Sequence, residues 1–368
     1  MQPAHSPEDL RVTAPPLDHD PAHPGPAARS TSLRRPDSLL RLPRVDPAPA
    51  GGMFAWLVVA GHAWVLSGLF LDGWYHVNRP EGETFLTPWH AILYSGVVVT
   101  LAVQVWQTGR AGGLRPGYGA SLAGGPVILL AGAVDGAWHT VLGVEADLAA
   151  LLSPPHLLLI TAGTLVFAGP LRAGLSTPLG AGLPTALSAA FVVTGLGFFT
   201  QYVNPITHRY PVREVTDTAG GGDLTSQVAG LLEVAGLAGV IIWSVLVGGA
   251  LAVVHARTAL VPGSLFVVMA VPSLFMTTPR GSYELVPAVL LTALAVELLG
   301  RRLPTAVLTG VATGLLTTGW VLSLAATAEL AWSLELLTGS IGSAAAAGYL
   351  VGWLVQGART ADRSLPVE

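Results

Sequence analysis

Apolar runs of about twenty residues, closed off by polar or Gly/Pro-containing stretches, recur along the chain from residue 53 almost to its end. A run of that length with little charge can cross the hydrocarbon core of a bilayer as a helix. Ten are present, at about 53–76, 88–108, 118–141, 154–172, 183–203, 225–255, 259–277, 283–300, 304–325 and 331–356. The pattern predicts an all-α fold, a polytopic integral membrane helix bundle with about ten spans. The last run carries Glu335 near its start and is interrupted by Gly339-Ser-Ile-Gly342. A re-entrant hairpin there would reduce the count to nine. Residues 1–50 differ: rich in Pro, Ala, Asp and Arg and without apolar periodicity, they predict a disordered tail with too few apolar residues for a cleaved signal peptide. The remaining divisions are a five-span region at 51–203, a loop at 204–224, further membrane helices at 225–358 and a second tail at 359–368.

Composition agrees with the pattern. The chain is 51% hydrophobic and only 11% charged, far too apolar for an ordinary soluble domain. It has no cysteine, which excludes disulfides, thiolate copper sites, iron–sulfur clusters and a Cys nucleophile. All 18 basic residues are Arg, so no lysine chemistry is available. Arg29, Arg34, Arg35, Arg41 and Arg44 precede the first run; Arg110, Arg115, Arg172, Arg257, Arg301, Arg302, Arg359 and Arg363 then fall in alternate connections. By the positive-inside rule both termini are expected in the cytoplasm of a multi-pass cell-membrane protein. The connections 77–87, 142–153, 204–224 and 278–282 are then external, although Arg79, Arg209, Arg213 and Arg280 lie on that side. Membrane lipid is an expected partner, and nucleic acid is not.

The polar residues that break this background are not scattered. Asp72-Gly-Trp-Tyr-His76 is followed by Leu86-Thr-Pro-Trp-His90, and Asp135-Gly-Ala-Trp-His139 by Leu152-Ser-Pro-Pro-His156. Each copy straddles the end of one apolar run and the start of the next, an internal helix-hairpin repeat. Asp and His four residues apart share a helix face. Pro88 and Pro154 suit the first turn of the following helix, and Thr87 and Ser153 suit its N-cap. A tight hairpin then returns His90 beside Asp72 and His76, and His156 beside Asp135 and His139. Ionisable groups at membrane depth are costly and usually functional. Two imidazoles and a carboxylate suit copper, iron, zinc or manganese, and an open coordination position permits chemistry. The competing reading is a polar clasp in which each Asp bonds its His residues and pins a hairpin. Trp74, Tyr75, Trp89 and Trp138 fit an interfacial aromatic belt or the wall of an apolar pocket.

Other polar residues are secondary candidates. Glu81, Glu83, Glu145 and Asp147 in the expected outer loops are either outer partners of the ligands or solvated charge. Asn204-Pro-Ile-Thr-His208 is an incomplete third copy. His62, about four turns before His76, is a candidate relay or a packing residue. Glu233 and Glu284 are candidate proton carriers, ligands or helix-packing groups.

At these residues the chain resembles a membrane subunit of the copper membrane monooxygenases, the particulate methane, ammonia and hydrocarbon oxidisers. That family carries D-x-x-x-H followed by T-P-x-H in one hairpin, matched by Asp72, His76, Thr87, Pro88 and His90. Its second hairpin has N-x-x-W-H, an acidic stretch, and a Pro shortly before a His, matched by Asp135, Trp138, His139, Glu145, Pro154 and His156. Asp135 stands where the family has Asn, and Tyr75 where it has Trp. The resemblance covers about residues 55–170. It implies two alternative copper sites near an oxygen-activating centre, partner subunits or an oligomer, and oxidation of a small apolar substrate with an external reductant such as a quinol. The residues by themselves also permit a metal-transport or metal-handling protein, or an intramembrane zinc hydrolase.

Overall fold

The computed structural model describes residues 52–79, 87–143, 148–176, 182–219 and 225–363; the expected tail at 1–50 lies outside them. The described residues contain helices and no strands. In chain order the helices are α1 Met53–Asn78, α2 Pro88–Ala111, α3 Gly119–Leu142, α4 Ala149–Leu152, α5 Pro154–Phe167, α6 Gly169–Leu175, α7 Leu183–Phe199, α8 Arg213–Ala219, α9 Thr225–Arg257, α10 Ser264–Met276, α11 Val286–Gly300, α12 Thr305–Thr327 and α13 Leu334–Arg363.

Every one of the apolar runs is helical, but they are unequal. Seven helices are long and apolar enough to cross a membrane, and α5 with α6 forms an eighth candidate bent by 42°. The runs expected at 183–203 and 259–277 contract to the 17 residues of α7 and the 13 of α10. At about 1.5 Å per residue these reach about 25 and 20 Å, short of the roughly 30 Å core. The chain explains both losses. Pro205 restricts Asn204 and the helix is already over at Phe199. Pro262 and Gly263, the latter in the left-handed region at φ 86°, delay the start of α10 to Ser264. The re-entrant hairpin at Gly339–Gly342 does not form: α13 runs unbroken through it and continues to Arg363, into the segment expected as a tail. The expected loop at 204–224 contains α8. It is also tied to the α12–α13 link, where Arg213 N–H donates to Glu329 O at 2.8 Å and Ala331 N–H donates to Pro211 O at 2.7 Å.

The α5–α6 bend has a local cause. Pro170 has no N–H for the carbonyl of Val166, which instead accepts from the Ser121 hydroxyl at 2.8 Å. The next rung is opened by Ser188, whose hydroxyl accepts from Leu171 N–H at 2.9 Å and donates to Phe167 O at 2.5 Å. A side chain inserted into the helical ladder is a recognised source of kinks. Two hairpins carry the repeated polar motif. In the first, α1 and α2 pack closely enough that a Cβ at Gly68 would stand 2.5 Å from the backbone N of Leu93, the small-residue contact typical of membrane helix pairs. In the second, α3 packs on α5. The rest of the buried core joins α7, α9, α10, α11 and α12 through residues such as Trp243, Leu251, Met269, Ala293, Leu308 and Leu324.

Candidate metal centre

The first group is built by the α1–α2 hairpin. Asp72 and His76 sit one turn apart near the end of α1. Thr87 holds an extended N-cap conformation before α2 and accepts from His90 N–H at 3.2 Å. Pro88 occupies the first turn, where its missing N–H leaves nothing unpaired. The ring of Tyr75 stacks on Trp89 at 3.7 Å between centroids. The immediate neighbours of His76 and His90 thereby lock the two helices beside the ligands. His76 Nε2 and His90 Nε2 each come to 3.4 Å from Asp72 Oδ1.

The second group repeats the arrangement between α3 and α5. His139 Nε2 lies 3.4 Å, and His156 Nε2 3.7 Å, from Asp135 Oδ1. Asp135 is the more deeply buried carboxylate, its side chain 3% exposed against 13% for Asp72. Here the ring nitrogens facing away from the carboxylate are accounted for. His139 Nδ1 contacts Gly143 O at 3.3 Å, and His156 Nδ1 contacts the Ser153 hydroxyl at 2.8 Å. A proton on each Nδ1 leaves the Nε2 lone pairs turned toward Asp135, the tautomer a metal ligand requires. Ser153 therefore departs from its expected role: it occupies the N-cap position of α5, yet its side chain makes no cap hydrogen bond and holds the His156 ring instead.

The distances carry chemical information. An N–H···O hydrogen bond spans about 2.7–3.2 Å, shorter than any of these four contacts. Ligands placed tetrahedrally about 2.0–2.1 Å from an ion stand about 3.3–3.4 Å apart. Within each group, one donor atom from every residue lies within 4.8 Å of the others. Asp72 Oδ1 and Asp135 Oδ1 are inaccessible to solvent and accept no hydrogen bond from any described residue, as expected of oxygens that face a cation. The residue types and spacing fit a metal ion in each group.

The two groups are neighbours. A Cβ on Gly125 would meet Leu101 at 3.1 Å, and one on Gly132 would run into the Tyr94 hydroxyl. Extending that antiparallel register by one turn sets His90 on α2 level with Asp135 and Gly136 on α3, so both groups lie at the same end of the bundle and at the same depth. Tyr94, one turn below His90, was not among the residues singled out from sequence; its H-x-x-x-Y spacing was the available signal.

The secondary candidates separate from the groups. Asn204 Oδ1 accepts from Ile206 N–H at 2.9 Å, closing a local turn, and His208 stacks on Tyr210 at 5.0 Å. Neither joins a cluster, so the incomplete third copy is a structural loop. Burial, and secondarily the charge of Arg280, pushes His208 down to about 4. His62 is fully buried with its ring edge-on to Phe167, and neither nitrogen has a hydrogen-bond partner among the described residues. Glu284 pairs with Arg209 at 3.3 Å. Glu233 lies half-buried on α9, outside both groups. Glu81, Glu83, Glu145 and Asp147 fall outside the described residues. No family model matches this chain, and no curated protein or solved structure matches it.

Proposed function

We propose that this is a copper-binding, multi-pass membrane protein of about ten spans, in which a duplicated helix hairpin holds two metal ions near the outer face, and that it acts as an oxidoreductase on a small apolar substrate. The coarser part of this reading, a membrane protein with two Asp/His/His groups able to hold a metal ion, rests on the observation that carries most weight: two hairpins place one carboxylate and two imidazoles at the spacing of a tetrahedral shell. The choice of copper rests on the resemblance at Asp72, His76, His90, Asp135, His139 and His156, together with a ligand set that suits it.

The residues divide the work. Asp72, His76 and His90 would hold one ion, and Asp135, His139 and His156 the other. Copper, when bound, supplies one-electron redox chemistry and a place for O2 to bind. Ser153 and Gly143 O keep the protons of His156 and His139 on Nδ1. Burial of Asp135 excludes water from the inner side of its group. Apolar side chains beside the second group, among them Val141, Leu142 and Leu157, remain exposed and lead from the lipid phase, the natural reservoir of an apolar substrate. An external quinol-type reductant and partner subunits complete the proposed reaction. The test is oxygen uptake by copper-loaded protein in lipid nanodiscs, with a soluble quinol, in the presence and absence of a short alkane. Alkane-stimulated uptake that is abolished by His139→Ala/His156→Ala supports the proposal. Tight zinc with no redox activity would replace it with a hydrolase, because the same spacing suits tetrahedral zinc.

A further inference from the structure

The reading of the two groups as metal sites leaves Tyr94 unexplained, and the inference drawn from it rests on that reading. Tyr94 starts on α2, one turn from His90, with its ring 6.2 Å from the imidazole. Its hydroxyl ends against α3 at Gly132, where any side chain would collide with it. Gly132 is three residues before Asp135 on the same helix face. The phenol thus crosses from the first group's helix to a seat one turn below the second group's carboxylate. Both carboxylate charges act on it, that of Asp135 more strongly than that of Asp72.

We propose that Tyr94 is a positioning residue shared by both sites, a hydrogen-bond donor to the outer oxygen of the metal-binding carboxylates, and that serving Asp135 first makes the second site the tighter one. Each Asp presents Oδ1 to its two imidazoles, which leaves Oδ2 for an outer partner. A phenol has one O–H and donates to one carboxylate at a time. Outer partners of ligating carboxylates orient them, and their loss typically weakens metal affinity about 10–100-fold. The seat at Gly132 assigns that single donor to Asp135, so the two otherwise matching sites load in sequence and not together.

Cobalt(II) is a suitable probe, because its visible absorption reports tetrahedral binding. It would be titrated into the full chain carrying either His76→Ala/His90→Ala, which leaves the second site, or His139→Ala/His156→Ala, which leaves the first. The second site should bind at least about tenfold more tightly. Tyr94→Phe, which removes one oxygen and keeps the ring, should weaken the second site about 10–100-fold and leave the first within a factor of about three. Gly132→Ala, which unseats the hydroxyl without removing it, should reproduce the selective loss. Unchanged second-site affinity in Tyr94→Phe, or equal weakening of both sites, would overturn the proposal, since a packing role does not change the ratio. Failure of both sites to bind cobalt with Tyr94 intact is a different failure: it removes the metal-site reading itself.

Discussion

Thr87 and Ser153 occupy equivalent places in the two motifs, yet their hydroxyls do different jobs, so truncating them should produce different losses. The Ser153 hydroxyl holds His156 Nδ1 at 2.8 Å in a part-buried setting. Without it the ring loses the partner that fixes its tautomer and orientation. Removing such a partner usually costs about 10–100-fold in metal affinity, which is about 1.4–2.7 kcal/mol. Helix α5 should hardly notice, because the Ser153 side chain makes no cap at its N-terminus. Thr87 instead caps α2 by accepting from the backbone N–H of His90. Thr87→Ala should therefore cost about 1 kcal/mol of stability with a smaller effect on affinity, transmitted only through the entry angle of α2. The assay pairs cobalt titration of each one-site protein with thermal unfolding in detergent. Ser153→Ala should weaken the second site at nearly unchanged unfolding temperature; Thr87→Ala should lower the unfolding temperature while the first site stays within about threefold. Equal loss of affinity in the two variants, or a destabilised Ser153→Ala with wild-type affinity, would refute the assignment.

Three other contacts give testable outcomes. Gly68→Ala puts a Cβ against the backbone of Leu93, one turn from both Asp72 and His90. It should separate α1 from α2 and lower metal occupancy of the first group, with the second group retained as the internal control. Glu297 on α11 accepts from the N–H groups of Gly263, Leu265 and Phe266 at 2.9–3.0 Å, capping α10 from another helix. Glu297→Ala leaves those donors unpaired and should cost about 2–4 kcal/mol in chemical unfolding, with Glu297→Gln losing less. His208 sits at about 4, well below its ordinary 6.5, because burial and Arg280 disfavour its charged form. Its lowered value means that the unfolded chain takes up a proton first. Stability is then complete above about pH 6.5 and falls as pH drops toward 4, by at most about 3 kcal/mol. A His208→Gln protein should show a shallower decline in unfolding temperature over that window, and an unchanged slope would contradict it.

The hairpins were legible in the sequence because two periodicities coincide there. A four-residue Asp–His spacing fixes a common helix face, and a Pro at the first turn fixes where the next helix begins. Neither depends on tertiary context, so the ligand sets assembled where expected. The length of α7 and α10 was less legible: hydropathy continues through residues 200–203 and 259–262, and what ends the helices is backbone restriction at Pro205, Pro262 and Gly263. The role of Ser153 was hidden because a hydroxyl at an N-cap position can serve the backbone or a neighbouring ring, and only the rotamer of His156 decides. Tyr94 was hidden for a related reason. Its importance comes from α3 standing beside α2 in a particular register, with Gly132 opening the space, and nothing local to Tyr94 announces that. Asn204 and His208 show the converse: the motif spacing recurs, but an Asx turn and a stacking contact absorb both side chains.

Metal held by these two groups is the central claim, and its direct measurement is the metal content of the detergent-purified full chain by elemental mass spectrometry. It would be made on the native sequence, on His76→Ala/His90→Ala, on His139→Ala/His156→Ala and on the four-fold variant. The expected result is about two copper ions per chain, about one in each paired variant and about none in the four-fold variant. Metal-free protein in every sample, with all variants folded alike, would mean that each Asp and its two His residues form a polar clasp for a helix hairpin, and would contradict the claim.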